Sequence, residues 1–313
     1  MTRYILTRTA RALLTALLVV TFAFFILRLT GDPALEILGN EASPQALAAF
    51  RASWGLDQPL WVQFVYYAHA ILTGDLGQSM RDGRAAIIVV TERIPVTLAI
   101  TVPALVINLA IGIPAGIYAA LHRGSGSAID RIVMIGAVAG FTVPSYVLGL
   151  VLVLVISVWL KWLPSGGAHG WSSAVLPVVT LGINGSAILA RFVRSAMLEV
   201  LGQPYIRTAS AKGAPWRRVV HHHAVPNAAI PTVTIVGFMI GGLISGAVIV
   251  ESVFSWPGLG QLLVVSVVAR DVSVVQCLLF LVTVTMVVSN ILVDIAYGLL
   301  DPRMAKGGNL WHR

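Results

Sequence analysis

Two runs, Ile94–Leu121 and Ile132–Leu160, continue for 28 and 29 residues without a charged or histidine side chain. A helix that crosses the hydrocarbon core of a bilayer needs about 20 mostly apolar residues, and each run exceeds that. The same test finds further spans at about Ala10–Leu29, around the uncharged Ala12–Leu27, at Ser173–Leu189, within Ala224–Val250 and at Val272–Val293. Arg28 closes the first span and snorkels to the far interface. Six transmembrane helices are therefore predicted. The prolines inside them, Pro103, Pro114, Pro144, Pro177 and Pro231, would break helices in water but are tolerated in membranes. Gly112, Gly116, Gly136, Gly140, Gly241, Gly242 and Gly246 fall at the small-xxx-small spacing that lets membrane helices approach closely. The fold class is all-α, a polytopic bundle.

Composition excludes the alternatives. Of 313 residues, 57% are hydrophobic and 11% charged, against about 25% charged in soluble domains. The lysines are only Lys161, Lys212 and Lys306. None follows a glycine, so the chain holds no Gly-Lys-Ser/Thr phosphate loop and is not itself a P-loop ATPase. The one cysteine, Cys277, reads as a small buried hydrophobe. A net charge of +8 would suggest nucleic acid for a soluble chain, but here it orients the protein. With the N-terminus inside, the inner connections hold 14 Lys and Arg and the longer outer ones 7. By the positive-inside rule both termini are cytoplasmic, and no nucleic-acid partner is implied. The basic start and first apolar run also resemble a signal peptide. No small-residue cleavage site follows closely, so a retained anchor is expected.

The outer segment from about Thr30 to Arg93 is too long for a plain connector. It carries turn signals at Gly31-Asp32-Pro33, Ser43-Pro44 and Asp57-Gln58-Pro59, with helix-like runs Gln45–Trp54 and Leu60–Leu72 between them. Its rings, Trp54, Trp61, Phe64, Tyr66 and Tyr67, fit either an interfacial aromatic belt or a small extracytoplasmic cap.

On the inner side, Tyr205-Ile206-Arg207-Thr208-Ala209-Ser210-Ala211-Lys212-Gly213 lies between Pro204 and Pro215. This predicts about two turns of helix with a glycine near the end. A helix that short is marginal alone. Arg207 and Lys212 are placed to face either a partner protein or lipid phosphates.

This segment, with Trp216-Arg217-Arg218-Val219, His223-Ala224-Val225-Pro226-Asn227-Ala228 and Pro231, resembles the cytoplasmic "EAA" segment of ABC-importer permeases. The form Tyr-Ile-Arg-Thr-Ala-x-Ala-Lys-Gly is similar to the dipeptide/oligopeptide/nickel permease family. Four more blocks extend the resemblance in order along most of the chain: Gly31-Asp32-Pro33, Gly55–Leu60 with Gly74–Ser79, Glu251–Gly260 and Val293–Arg303. Arg207 and Thr208 stand where the general pattern has Glu and Ala, which narrows the likeness to the peptide subgroup. His221 and His222 are outside the pattern.

The resemblance implies a type I importer permease fold in a bacterial plasma membrane. Residues 1–93 would form the first span and outer segment, 94–301 the five-helix core with a coupling helix at about 199–222, and 302–313 a cytoplasmic tail. It implies a second homologous permease, two P-loop ATPases that bind ATP-Mg, and an extracytoplasmic substrate-binding protein. No cofactor would be bound by this chain itself and no catalytic residue is expected. Coupling to the ATPases would fall to Tyr205, Arg207, Thr208, Ala209, Lys212, Gly213, Arg217 and Arg218. Asp57, Asp75 and Gln78 are candidate contacts for the binding protein. The cargo implied is a di- or oligopeptide, with nickel, glutathione or haem as alternatives.

Asn108, Asn184, Ser186, Asn227 and Asn290 are candidate path-lining groups, since membrane-buried amides seek water or protein; interhelical hydrogen bonding is the alternative for each. Glu251 and Asp294, at span edges, are expected to pair with interfacial arginines. His221-His222-His223 lacks the i,i+4 spacing of helical metal sites, so no metal site is expected. An ion-coupled secondary transporter is disfavoured because no carboxylate lies mid-span.

Overall fold

The computed structural model describes residues 2–29, 31–39, 41–123, 128–245 and 247–300. In chain order the helices are α1 Thr2–Leu29, α2 Pro33–Leu38, α3 Pro44–Ser53, α4 Leu60–Thr73, α5 Ala86–Thr91, α6 Ile94–Ile107, α7 Ile113–Leu121 and α8 Ala128–Thr142. They continue as α9 Ser145–Leu152, α10 Trp171–Leu201, α11 Pro204–Ala211, α12 Trp216–Val219, α13 Val225–Gly241, α14 Val248–Val253, α15 Leu259–Val268 and α16 Val272–Leu300. Wider π-helical turns at Asn108–Gly112 and Val220–Ala224 join neighbouring helices, and one at Val153–Trp159 extends α9. No strand is present among the described residues. The predicted tail 302–313, Gly246 and the Asp294 side chain lie outside the described residues.

Among the described residues, four continuous stretches are long and apolar enough to cross a bilayer: Ala86–Leu121, Trp171–Leu201, Trp216–Gly241 and Val272–Val293. The pair Arg131–Thr142 and Ser145–Trp159 passes the same test only together and is bent by 98° at its break. α1 is not among these, so four to five crossings are found among the described residues where six are predicted from the sequence. The 28 residues of α1 extend about 42 Å at 1.5 Å each, and Leu17–Arg28 is an apolar stretch within it.

The predicted third span, Ile132–Leu160, is thus not one straight rod. The residue before a proline is pushed out of the helical region, and Val143 precedes Pro144, whose ψ of 140° is extended. Pro103, Pro177 and Pro231 stay inside their helices. The predicted outer connection 254–273 also differs, because it contains the apolar ten-residue helix α15, too short to span.

The chain separates into two compact units. One comprises Leu98–Trp256 with the described chain from Val288 to Leu300. Its centre is α10, which packs against α7, α8, α9, α13 and α14 and buries Leu176, Leu189, Val193, Ala196 and Met197. Membrane helices associate through close packing rather than water exclusion, and two glycines show how close. A Cβ on Gly116 would lie 2.5 Å from the Ala190 carbonyl oxygen, and one on Gly237 would lie 1.8 Å from Val293 Cγ2. Gly136 faces open space, so its place in the small-residue pattern carries no such contact. Arg191 adds a cation–π contact between α10 and α8, with its guanidinium carbon 4.2 Å from the Phe141 ring centre.

The other unit comprises Thr2–Thr97 with Pro257–Val287. Two of its expected turns are helix starts. Asp32 caps α2 by accepting from Ala34 N at 3.0 Å, and Ser43 caps α3 by accepting from Ala46 N at 3.2 Å. Pro33 and Pro44 fill the first helical positions, where a missing N–H costs nothing. α4 docks on α1 through its rings: Phe24 lies 5.3 Å from Tyr67 and 5.4 Å from Phe64, and Phe25 lies 5.6 Å from Phe64, between ring centres. Trp61 and Tyr66 remain exposed. The aromatics therefore divide between an internal contact and an outward face.

Candidate functional site

α10 ends where Gly202 N donates to the Leu198 carbonyl at 3.2 Å. Pro204 then starts α11 in the first-turn position. α11 has one buried residue, Ile206, 3% exposed. Ile206 packs in one cluster with Leu189, Val193, Met197, Val219, Ala224 and Ala228, while Ala209 packs at its edge. Thr208 Oγ1 donates to the Pro204 carbonyl at 3.1 Å and Ser210 Oγ to the Ile206 carbonyl at 3.1 Å, so neither hydroxyl needs a distant partner. Gly213 follows the helix at φ +81°, the left-handed position that favours glycine after a helix end. Ala214 N then donates back to the Ala209 carbonyl at 3.3 Å.

The opposite face is open. Tyr205, Arg207, Thr208, Lys212, Gly213, Arg217 and Arg218 are exposed, and burial raises the Tyr205 phenol above its usual pKa. Every charged side chain from Gly202 to Val250 other than histidine is positive. Val219 and Val220 anchor the α12 end, and His221–His223 stand exposed on the π-helical turn that follows. Of the eight predicted coupling residues the structure thus presents seven on one exposed segment; Ala209 is half-buried against the core. No cluster of His, Cys, Asp and Glu fit for a metal exists among the described residues.

The candidate path residues are scattered. Asn108 and Ser186 are buried together, Ser186 Oγ lying 3.4 Å from Asn108 Oδ1. Asn184 Nδ2 donates to the Gly140 carbonyl at 3.0 Å. Asn227 is exposed, with Nδ2 donating within its own helix to the His223 carbonyl at 2.6 Å, and Asn290 is exposed on α16. Glu251 is wholly buried on α14.

Asp57, Asp75 and Gln78 are all exposed. Asp75 Oδ1 accepts from Gly77 N at 3.0 Å, and Gln78 forms an isolated antiparallel bridge with Ala85. The loop is held from beneath. The buried Asp271 accepts from the Ser79 hydroxyl and from Met80 N at 3.1 Å, and also receives Val274 N at 3.4 Å at the head of α16. Arg93 Nη1 donates to the Pro257 carbonyl at 2.8 Å, and Leu259 N donates to Thr97 Oγ1 at 2.7 Å. Arg270 lies against Gly31, where a Cβ would meet the guanidinium, which explains the glycine of Gly31-Asp32-Pro33. Sequence reasoning missed Asp271, although an Asp just before an apolar run is a helix-cap signal.

The family model described as binding-protein-dependent transport system inner membrane component matches residues 112–306. The model of the N-terminal part of such components matches residues 1–101. The chain belongs to this family. It is a permease subunit of an ABC importer, a multi-pass membrane protein that is not itself catalytic. The glutathione transport system permease protein GsiC of Salmonella choleraesuis (strain SC-B67) is 41% identical over 303 residues, covering 96% of this chain and 98% of that protein. GsiC of Escherichia coli (strain K12) is 40% identical over the same length. Among solved structures, a chain of the MetNI methionine ABC transporter in an inward facing conformation superposes with a TM-score of 0.55 at 20% identity, covering 69% of this permease and 97% of that chain. That likeness shows the type I importer fold. Permeases of this family work with ATPase and substrate-binding partners.

Proposed function

We propose that this permease carries short peptides into the cytoplasm, driven by ATP hydrolysed on two separate P-loop ATPase subunits that bind ATP-Mg, with a second homologous permease completing the pathway. The observation that carries the coupling role is the α11 segment: one buried isoleucine fixes it to the core, and an exposed, wholly basic face is left for a partner. Arg207, Lys212, Arg217 and Arg218 supply charge to that face, and Tyr205, Thr208, Ala209 and Gly213 its shape. Asp75 and Gln78, on the loop anchored by Asp271, and Asp57, ahead of α4, meet the binding protein. Asn108, Asn184, Ser186, Asn227 and Asn290 mark the candidate path. Both termini lie in the cytoplasm.

Glutathione is a second reading of the cargo. It is itself a short peptide, and relatives at 40–41% identity are glutathione permeases.

The test is reconstitution with the cognate ATPases, companion permease and binding protein. Arg207→Glu is expected to leave assembly in the membrane intact while abolishing uptake that depends on ATP. Transport by this chain without any ATPase would overturn the reading. Profiling what the cognate binding protein retains distinguishes glutathione from other peptides.

A further inference from the structure

In the unit formed by Thr2–Thr97 and Pro257–Val287, a cavity of about 330 Å³ opens among α1, α4, the Gly74–Met80 loop and the head of α16. That volume is at the small end of ligand pockets. Its wall contains hydrogen-bonding atoms that the protein leaves without partners. Arg28 Nε and Nη1 have none, and neither does Gln276 Nε2 on a side chain only 6% exposed. Gln63 Oε1, an acceptor on the same wall, is equally unpartnered. Arg28 otherwise rests on the Phe24 ring, 5.5 Å from its centre. An unmade hydrogen bond at a buried group is destabilising, the more so when the group is charged. Three side chains sharing this deficit around one cavity indicate an occupant.

The deficits have two signs. Arg28 and Gln276 offer donors and one full positive charge, while Gln63 offers an acceptor and the exposed Asp75 a negative charge at the rim. A simple anion would satisfy the first pair and be repelled by Asp75. Trp54 and Tyr67 add aromatic surface. We infer that this cavity is a binding site for a small amphoteric ligand, a free amino acid or the C-terminal part of a short peptide, whose carboxylate meets Arg28 and Gln276 and whose N–H groups meet Gln63 and Asp75. The site is separate from the α11 segment, and it stands whichever substrate the importer carries.

The test uses the full chain in nanodiscs of phosphatidylcholine, titrated by calorimetry with triglycine and with triglycinamide, which lacks the carboxylate. Triglycine binds, and triglycinamide binds at least about tenfold more weakly, as loss of a charge-assisted hydrogen bond requires. Arg28→Gln and Gln276→Leu each weaken triglycine, with Arg28→Gln abolishing the preference for the carboxylate. Gln276→Leu guards against a folding defect in the arginine variant, and thermal melts of both variants accompany the titrations. Equal binding of the two peptides, no binding of triglycine at millimolar concentrations, or an Arg28→Gln protein that keeps the preference overturns the proposal. Inorganic phosphate displacing triglycine, or phosphatidylglycerol nanodiscs abolishing its binding, also overturns it, because the site would then be a phosphate or lipid-headgroup site.

Discussion

Single residues determine how firmly each face is held. Gly213 has open space around it, so Gly213→Val introduces no clash, only the cost of a branched residue at φ +81°, roughly 1–2 kcal/mol. The expected outcome is a modest fall in thermal stability with a large fall in ATP-driven uptake; unchanged uptake would show that the turn is irrelevant to coupling. Asp271→Ala strands Met80 N and the Ser79 hydroxyl. It should cost about 2–4 kcal/mol and make the Gly74–Arg84 loop sensitive to limited proteolysis. Asp82, in the same loop, accepts Arg84 N at 3.0 Å. That hydrogen bond, with help from the Ser79 hydroxyl and the Arg84 and Arg81 charges, holds its carboxyl below the usual aspartate range. A depressed carboxyl stabilises above its unfolded value and ceases to as pH falls through its folded value. Protection of the Arg84 amide from hydrogen exchange should therefore persist from neutral pH down to about 4 and fade below it; Asp82→Asn should remove that dependence. Asp271 and Ser79 are 192 positions apart. No local pattern announces such a pair, although each half is an ordinary cap or turn residue.

The helices were legible where a local signal brackets them. α11 is enclosed by Pro204 and Pro215, and α3 and α4 fall within a residue of their expected ends because Pro44, Pro59 and Gly74 mark them. The break between α8 and α9 was not legible. Pro144 looks like the interior prolines that α6, α10 and α13 absorb, and packing decides which proline bends its helix. α15 was missed because a ten-residue apolar run fits neither a span nor a polar loop. At this scale the close contact of α13 with α16 is testable. Gly237→Ala should lower the melting temperature by overpacking against Val293, about 1–3 kcal/mol, and Val293→Ala in the same chain should restore most of it. Failure of the second change to rescue the first would place the strain elsewhere.

For the whole chain, the distribution of charge predicts sidedness. A cysteine at His222 should react with an impermeant maleimide only from the cytoplasmic side, and one at Asp57 only from the other; the reverse pattern would invert the proposed topology. The long apolar helices and the basic cluster at α11 and α12 were readable from uncharged runs and from where arginines crowd. The partners of the candidate path residues were not, because Asn108, Asn184 and Ser186 turn their polar atoms to neighbouring groups of the protein, and a sequence does not say which way an amide turns. The anchoring of α11 has a mechanical consequence. Ile206 shares its cluster with Leu189, Val193 and Met197, three residues of α10, and α10 is a 31-residue helix, about 46 Å long. A displacement of α11 would therefore be passed to the C-terminal half of a continuous helix instead of being absorbed by a slack loop.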